Sequence, residues 1–236
     1  MRRCPRCGEE NPDRFRMCGF CGTELAPLAV AEVRKTVTIV FSDLKGSTSL
    51  GERLDPEALR EVLSRYFGVM KTILERHGGT VEKYIGDAIM AVFGLPKLHE
   101  DDALRAARAT VEMRAALADL NEELERRWGA RLANRTGVNT GEVVAGDVTL
   151  GQRLVTGDTV NVAARLEQAA PESDVLVGDT TYRLIREVVD VEPVEALTLK
   201  GKSEPVPAYR LIRVRGGEAV RQARIVNFRG VLDQLC

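Results

Sequence analysis

Four of the five cysteines fall in the first 21 residues, as Cys4-x-x-Cys7 and Cys18-x-x-Cys21 with ten residues between the pairs. Each such turn presents two thiolates from one tight loop, and four soft ligands are what a tetrahedral zinc ion takes. Gly8 and Gly22 follow the second cysteine of each pair. A backbone without a side chain there lets amides turn toward sulfur. Four thiolates leave no position open for water, so one structural Zn²⁺ per chain is expected. A second group of chemical residues starts at Asp43, in FSDLKGSTS, where a carboxylate precedes Gly46, Ser47 and Thr48. A carboxylate at a strand end, followed by small donor residues entering a helix, suits a divalent ion and phosphates together. Asp87, in KYIGDAIM, supplies another carboxylate. Two carboxylates side by side hold two divalent ions, which activate an attacking oxygen and neutralise phosphate charge. Taken singly, each has a plainer reading, Asp43 as a helix cap and Asp87 as a turn residue.

The elements that must position these groups are readable from pattern. RKTVTIVFSDL is a β-branched run that suits a strand buried on both faces and ends on Asp43. Asp55-Pro56 opens a helix with the apolar stripe Leu59, Val62, Leu63, Tyr66, Met70, Ile73 and Leu74, closed by His77-Gly78-Gly79. TVEKYIGDAIMAVFG reads as a hairpin around Gly86-Asp87. If that hairpin pairs beside the first strand, Asp43 and Asp87 become neighbours. A long helix runs from His99 to Trp128, RTGVNTGEVVAGDV reads as strand-turn-strand, and GDTVNVAARLEQAA reads as a helix. SDVLVG, VVDVEP, EALTLKG and VPAYRLIRV follow as short strands. The order strand-helix-strand-strand-helix-strand is that of an α+β, ferredoxin-like split βαβ core.

With 236 residues, 44% hydrophobic and 29% charged, the chain has enough apolar content for a real core and is not a disordered polymer. A formal charge of −1 provides no global basic field for nucleic acid. No run approaches the ~18 apolar residues of a membrane span. Met1-Arg2-Arg3-Cys4 leads into polar sequence rather than a signal-peptide core, so a cytoplasmic location is expected.

Five motifs in order, VTIVFSDLKGSTSL, GGTVEKYIGDAIMAVFG, GVNTGEVVAGD, TGDTVNVAARLE and LKGKSEPVPAYRL, resemble the catalytic domain of class III nucleotidyl cyclases over residues 34–214. The whole chain is similar to bacterial members that carry an N-terminal zinc ribbon. That resemblance implies a ribbon over 1–24, a linker over 25–33, a cyclase domain over 34–214 and a tail over 215–236. It further implies conversion of ATP, or less favourably GTP, to a 3′,5′-cyclic monophosphate and pyrophosphate, with two Mg²⁺ or Mn²⁺ per site. Asp43 and Asp87 match the metal-binding aspartates, with the Leu44 carbonyl as a further ligand. Lys83 matches the lysine that reads the purine, Asn161 the asparagine that orients the ribose, and Arg165 the arginine that stabilises the transition state. Lys200 or Lys202 would meet the terminal phosphates. In the family the site forms between two chains, so a homodimer is implied, and the ribbon implies a partner of its own.

One position departs from the family. Adenine-selective members carry an acidic or hydroxyl residue seven positions before the asparagine, where this chain has Leu154. Base reading then falls to Lys83, to backbone or to Thr156. Leu154 also motivates an alternative, a catalytically silent homologue that binds nucleotide as a regulatory module. A cyclic-dinucleotide synthase is disfavoured because HGGTVEKYIGD lacks the GG(D/E)EF loop.

Overall fold

The structure, a computed structural model, describes residues 1–12, 15–25, 33–145, 155–198 and 205–216. They form two compact units, one within Met1–Val33 and one from Arg34 onward. In the first, β1 (Arg2–Arg3) and β2 (Glu10–Asn11) pair antiparallel. Each CxxC turn is closed by a backbone bond, Gly8 N–H to Cys4 O at 2.9 Å and Gly22 N–H to Cys18 O at 2.9 Å. Both glycines have positive φ, 77° and 68°, which explains why glycine stands after each pair.

The second unit is a mixed sheet with helices packed on it. The first strand, β3 (Val33–Lys45), runs straight into a short helix α1 (Ser47–Arg53) and then α2 (Pro56–Arg76). The Asp55 side chain caps α2 by accepting from the Ala58 amide at 2.8 Å, with Pro56 at the first helical position, as the sequence indicates. The hairpin forms from β4 (Thr80–Ile85) and β5 (Ala88–Phe93), with Gly86 at φ 63° in the turn. The long helix is α3 (Asp102–Trp128), followed by β6 (Ala133–Ala145), β7 (Val155–Thr156) and α4 (Asp158–Ala169). Then come β8 (Val175–Gly178), α5 (Asp179–Ile185), β9 (Val189–Pro193) and β10 (Ala208–Val214). The strand order is β4-β5-β3-β6-β8-β10-β9, with β7 attached to β6. Its first four strands, β4-β5-β3-β6, are the split βαβ arrangement. Residues such as Tyr66, Met70, Leu74, Phe93, Met113 and Leu124 form the core on the face covered by α2 and α3.

Two expectations of local structure are corrected. Where RTGVNTGEVVAGDV is expected as strand-turn-strand, residues 135–145 run as one unbroken strand through Gly137 and Gly141, and 146–148 lie outside the described residues. These glycines serve close approach: a Cβ on Gly137 would lie 2.2 Å from the Ala163 carbonyl oxygen and 2.4 Å from the Glu167 nitrogen. A Cβ on Gly141 would lie 2.6 Å from Thr159 Oγ1. Helix α4 therefore packs its backbone almost directly on β6. EALTLKG contributes only a single bridge, Leu197 to Val206, among the described residues.

Candidate active site

Asp43 stands near the end of β3, paired in register with Ala88 of β5. Asp87, the residue before Ala88, is thereby brought beside it, and the pairing anticipated from the hairpin is the one observed. Beneath them the sheet is pinned by polar contacts. Ser42 Oγ accepts from Asn134 Nδ2 and from Thr136 Oγ1, each at 3.0 Å, and Thr38, Thr140 and Thr181 link their hydroxyls at 2.9 Å. Such buried contacts fix the height of β3 against β6, and so the position of the Asp43 carboxyl.

Burial raises the Asp43 carboxyl above the usual carboxylate range, and the charge of Asp87 adds to this, while a hydrogen bond from Arg135 opposes it. An Asp43 carboxyl that burial and the neighbouring Asp87 make harder to ionise is one that a divalent cation would relieve, so the donor set fits such an ion. Leu44 is buried, with its side chain in the core. Gly46, at φ 75°, precedes the first residue of α1, and Ser47 and Thr48 lie in its first turn.

Sequence reasoning missed two residues of this site. Arg135, at the start of β6, places Nη2 3.2 Å from Asp43 Oδ2 and 3.0 Å from Glu167 Oε1. Its Nη1 donates to the Gln168 carbonyl at 3.3 Å. Glu167 is buried, and burial pushes its carboxyl up to about 7, with Arg135 lowering it and Asp43 and Asp87 raising it further. A plain reading of Arg165 as a surface cation pairs it with Glu167 or Glu142. Instead Glu142 lies 3.9 Å from Arg34, and Arg165 donates to Gln168 Oε1 at 3.1 Å. Positions 165 and 167 are two apart on a helix and do not face each other, which is the signal that separates them.

Asn161 and Arg165 are both exposed on α4, one turn apart. Lys83 is exposed on β4, the edge strand. Thr156 is exposed just before α4 and lines an open pocket of about 410 Å³ with Arg34, Glu142 and Asp158. That pocket is at the N-terminal end of α4, whereas the Arg135 link ties Asp43 to its C-terminal end. Twelve helical residues separate the two ends, about 18 Å at 1.5 Å per residue. Leu154, Lys200 and Lys202 lie outside the described residues.

In the other unit the four Sγ atoms of Cys4, Cys7, Cys18 and Cys21 all lie within 4.8 Å of one another. Cys4 and Cys21 stand 3.5 Å apart, as do Cys7 and Cys18. Four Zn–S bonds of ~2.3 Å in a tetrahedron put the sulfurs about 3.8 Å apart, so the cluster fits a zinc ion. The Arg6 amide and Asn11 Nδ2 approach Cys4 and Cys18 sulfur, each at 3.4 Å. Burial disfavours the Cys18 thiolate, but the Cys21 and Phe20 amides and Asn11 outweigh it and hold the thiol at about 6. Thiolate-stabilising amides of this kind are what a thiolate metal site needs.

Among the described residues no helix is long and apolar enough to cross a membrane. Residues 29–212 match the family model described as the adenylate and guanylate cyclase catalytic domain. An adenylate cyclase of Anabaena cylindrica is 32% identical over 202 residues, covering 80% of this chain and 39% of that protein. The chain thus spans well under half the length of the curated relatives it matches. The adenylyl cyclase CyaB from P. aeruginosa superposes with a TM-score of 0.74 at 33% identity, covering 78% of this chain and 96% of that one. The guanylyl cyclase Cya2 does so with a TM-score of 0.74 at 35% identity, covering 78% and 94%. With the family pattern spanning most of the sequence and the fold shared along nearly the whole of these two domains, the chain belongs to the adenylate and guanylate cyclase catalytic domain family.

Proposed function

We propose that the protein is a nucleotidyl cyclase that forms two equivalent sites between two copies of itself and takes ATP in preference to GTP. The observation that carries this reading is the distance along α4. Within one chain, the acidic pair and the Thr156 pocket belong to opposite ends of a helix about 18 Å long, and Asn161 and Arg165 point outward between them. One chain alone does not gather these groups around one nucleotide. A head-to-tail pair does, because symmetry brings the acidic end of one copy to the α4 face of the other.

In this reading Asp43, Asp87 and the Leu44 carbonyl hold two Mg²⁺ or Mn²⁺. These ions, when bound, neutralise phosphate charge and make the ribose 3′ oxygen a better nucleophile. Gly46, Ser47 and Thr48 are assigned to the phosphates, with Lys200 or Lys202 at their far end. From the second chain, Asn161 donates to and accepts from the ribose, and Arg165 meets charge that develops at the α-phosphorus during in-line attack. The second chain's Lys83 donates to the purine. Adenine N1 accepts such a bond, whereas guanine N1 carries a proton, which is the basis for the ATP preference.

Leu154 removes a side-chain acceptor that an adenine amino group would use, a hydrogen bond worth about 0.5–1.5 kcal/mol net. Leu154→Asp is therefore expected to raise the ATP-to-GTP ratio of kcat/KM by up to about tenfold. The test is competition of ATP and GTP for wild type and variant with Mn²⁺ or Mg²⁺. An unchanged ratio in an active variant moves base reading to Thr156 or the backbone, and preference for GTP in the wild type overturns the ATP assignment. A wild type that binds nucleotide without converting it supports the silent, regulatory alternative that Leu154 favours.

The ribbon is proposed to hold one structural Zn²⁺ per chain through Cys4, Cys7, Cys18 and Cys21. Purified protein is expected to contain one equivalent of zinc by elemental analysis, and cobalt substitution should give a thiolate charge-transfer band. Cys18→Ser is expected to lose the metal and the ribbon's structure while the larger unit still melts cooperatively. Well under one equivalent of zinc, with no cobalt band, would sink the assignment.

A further inference from the structure

Lys45 is a charged residue beside the acidic pair to which none of the cyclase roles above gives a task. It closes β3, two residues beyond Asp43. Successive side chains of a strand alternate between faces, and Leu44, between the two, enters the core covered by α2 and α3. Asp43 and Lys45 therefore project from the opposite face of the sheet, where Asp43 meets Arg135 and Arg135 meets Glu167. Two strand residues set their backbones about 7 Å apart, close to the length of one extended lysine side chain. The Glu167 carboxyl feels the charges of Lys45, Arg135, Asp43 and Asp87 together, which places the Lys45 ammonium on this side of the sheet. Three carboxylates thus share one region with two cations. Arg135 is tied to Asp43 by a hydrogen bond. Lys45 is exposed, and among the described residues no hydrogen bond or ion pair holds its ammonium group. Directly after it the chain turns at Gly46 into α1, so the order along the sequence is metal ligand, lysine, and then the segment assigned to the phosphates.

We propose that Lys45 binds the phosphates that leave as pyrophosphate, from the same chain as Asp43, and so makes the acidic half-site prefer a triphosphate to a monophosphate. This deepens the cyclase reading above and rests on it. Two divalent ions turn the group of charges around Asp43 from negative to positive overall, and Lys45 adds to that sign where the polyphosphate lies. A lysine suits the task better than a planar fork does, because its ammonium is a compact charge with three donors on a flexible stem and can follow oxygens that are not coplanar. Bonds from such a charged donor to phosphate are among the stronger hydrogen bonds. The far end of the same phosphates falls to Lys200 or Lys202, so that lysines grip the leaving group from two sides.

The test uses Lys45→Gln, which removes the charge, and Lys45→Arg, which keeps it. Titration calorimetry on the full chain measures binding of Mn²⁺ alone, Mn²⁺ with pyrophosphate, and Mn²⁺ with 3′-deoxy-ATP or 3′-deoxy-AMP, which have no 3′ oxygen to attack. Lys45→Gln is expected to weaken pyrophosphate and 3′-deoxy-ATP about tenfold and to leave 3′-deoxy-AMP unchanged. Mn²⁺ alone should bind no more weakly, since a repelling cation has been removed, and the melting temperature should hold. Lys45→Arg should keep most of the triphosphate affinity. Equal losses for the triphosphate and the monophosphate would overturn the proposal, as would no loss for either. Weaker binding of Mn²⁺ alone, or a lower melting temperature, would make Lys45 a supporting charge for Glu167 and overturn it as well. A wild type that binds no Mn²⁺ pyrophosphate does the same. A wild type that binds 3′-deoxy-ATP yet forms no cyclic product from ATP or GTP ends the cyclase reading alone, and the calorimetric ratios then decide the role of Lys45.

Discussion

Asp43→Ala and Arg165→Ala should each abolish cyclisation as pure proteins and recover it when mixed. In the proposed mechanism the first removes a ligand of the divalent ions, and the second removes the cation that meets charge developing at phosphorus. Loss of one such charge-stabilising group costs about 10²–10³ in kcat. In a homodimer of either variant both sites are defective. In a mixed dimer one site carries both defects and the other none. Random exchange of equal amounts makes half of the dimers mixed, so total activity should return to about a quarter of the wild-type value. The assay is cyclic nucleotide formation before and after subunit exchange, with exchange followed by differently tagged chains. Mixtures that exchange and stay inactive would show that each chain builds its site from its own residues.

Gly137→Ala should be the most damaging single methyl group in the larger unit. The added carbon would sit 2.2 Å from the Ala163 carbonyl oxygen and 2.4 Å from the Glu167 nitrogen, both backbone atoms that no rotamer change can move. Helix α4 must lift from β6, and the Arg135 to Glu167 contact and the outward pose of Asn161 and Arg165 go with it. Overpacking of this kind costs about 3 kcal/mol. In a unit of this size that lowers Tm by about 6–12 °C. Thermal melting checks it, and an unchanged Tm would mean that α4 does not rest on β6 as closely as described. Gly86→Ala, in contrast, meets nothing within 4 Å and carries only the strain of its positive φ.

The difference between these two glycines explains what the sequence could reveal. Gly86 sits where a local rule applies: a tight turn between two apolar strands, with Asp87 beside it, is visible in a few residues. The same holds for the Asp55-Pro56 helix start, the β-branched strand that ends on Asp43, and the paired CxxC turns. Gly137 and Gly141 stand inside an unbroken strand for a reason no local rule shows, the close approach of α4. Arg135 and Glu167 were hidden for a related cause. A charged residue in a strand and another on a helix announce solvent exposure, and only the packing of α4 on β6 turns them into a buried pair. The helix α5 was missed among short strands because its seven residues are too few to show a period. The roles proposed for Lys83, Asn161 and Arg165 rest on family resemblance alone, since each is an ordinary exposed polar residue of its element.

The most direct measurement is identification of the products made by the purified chain from ATP and, separately, from GTP with Mn²⁺ or Mg²⁺, beside Asp43→Ala. The expected products are 3′,5′-cyclic monophosphate and pyrophosphate in equal amounts, more from ATP than from GTP, and none from Asp43→Ala. Release of inorganic phosphate with a nucleoside diphosphate, or no conversion of either nucleotide with either metal, would contradict it.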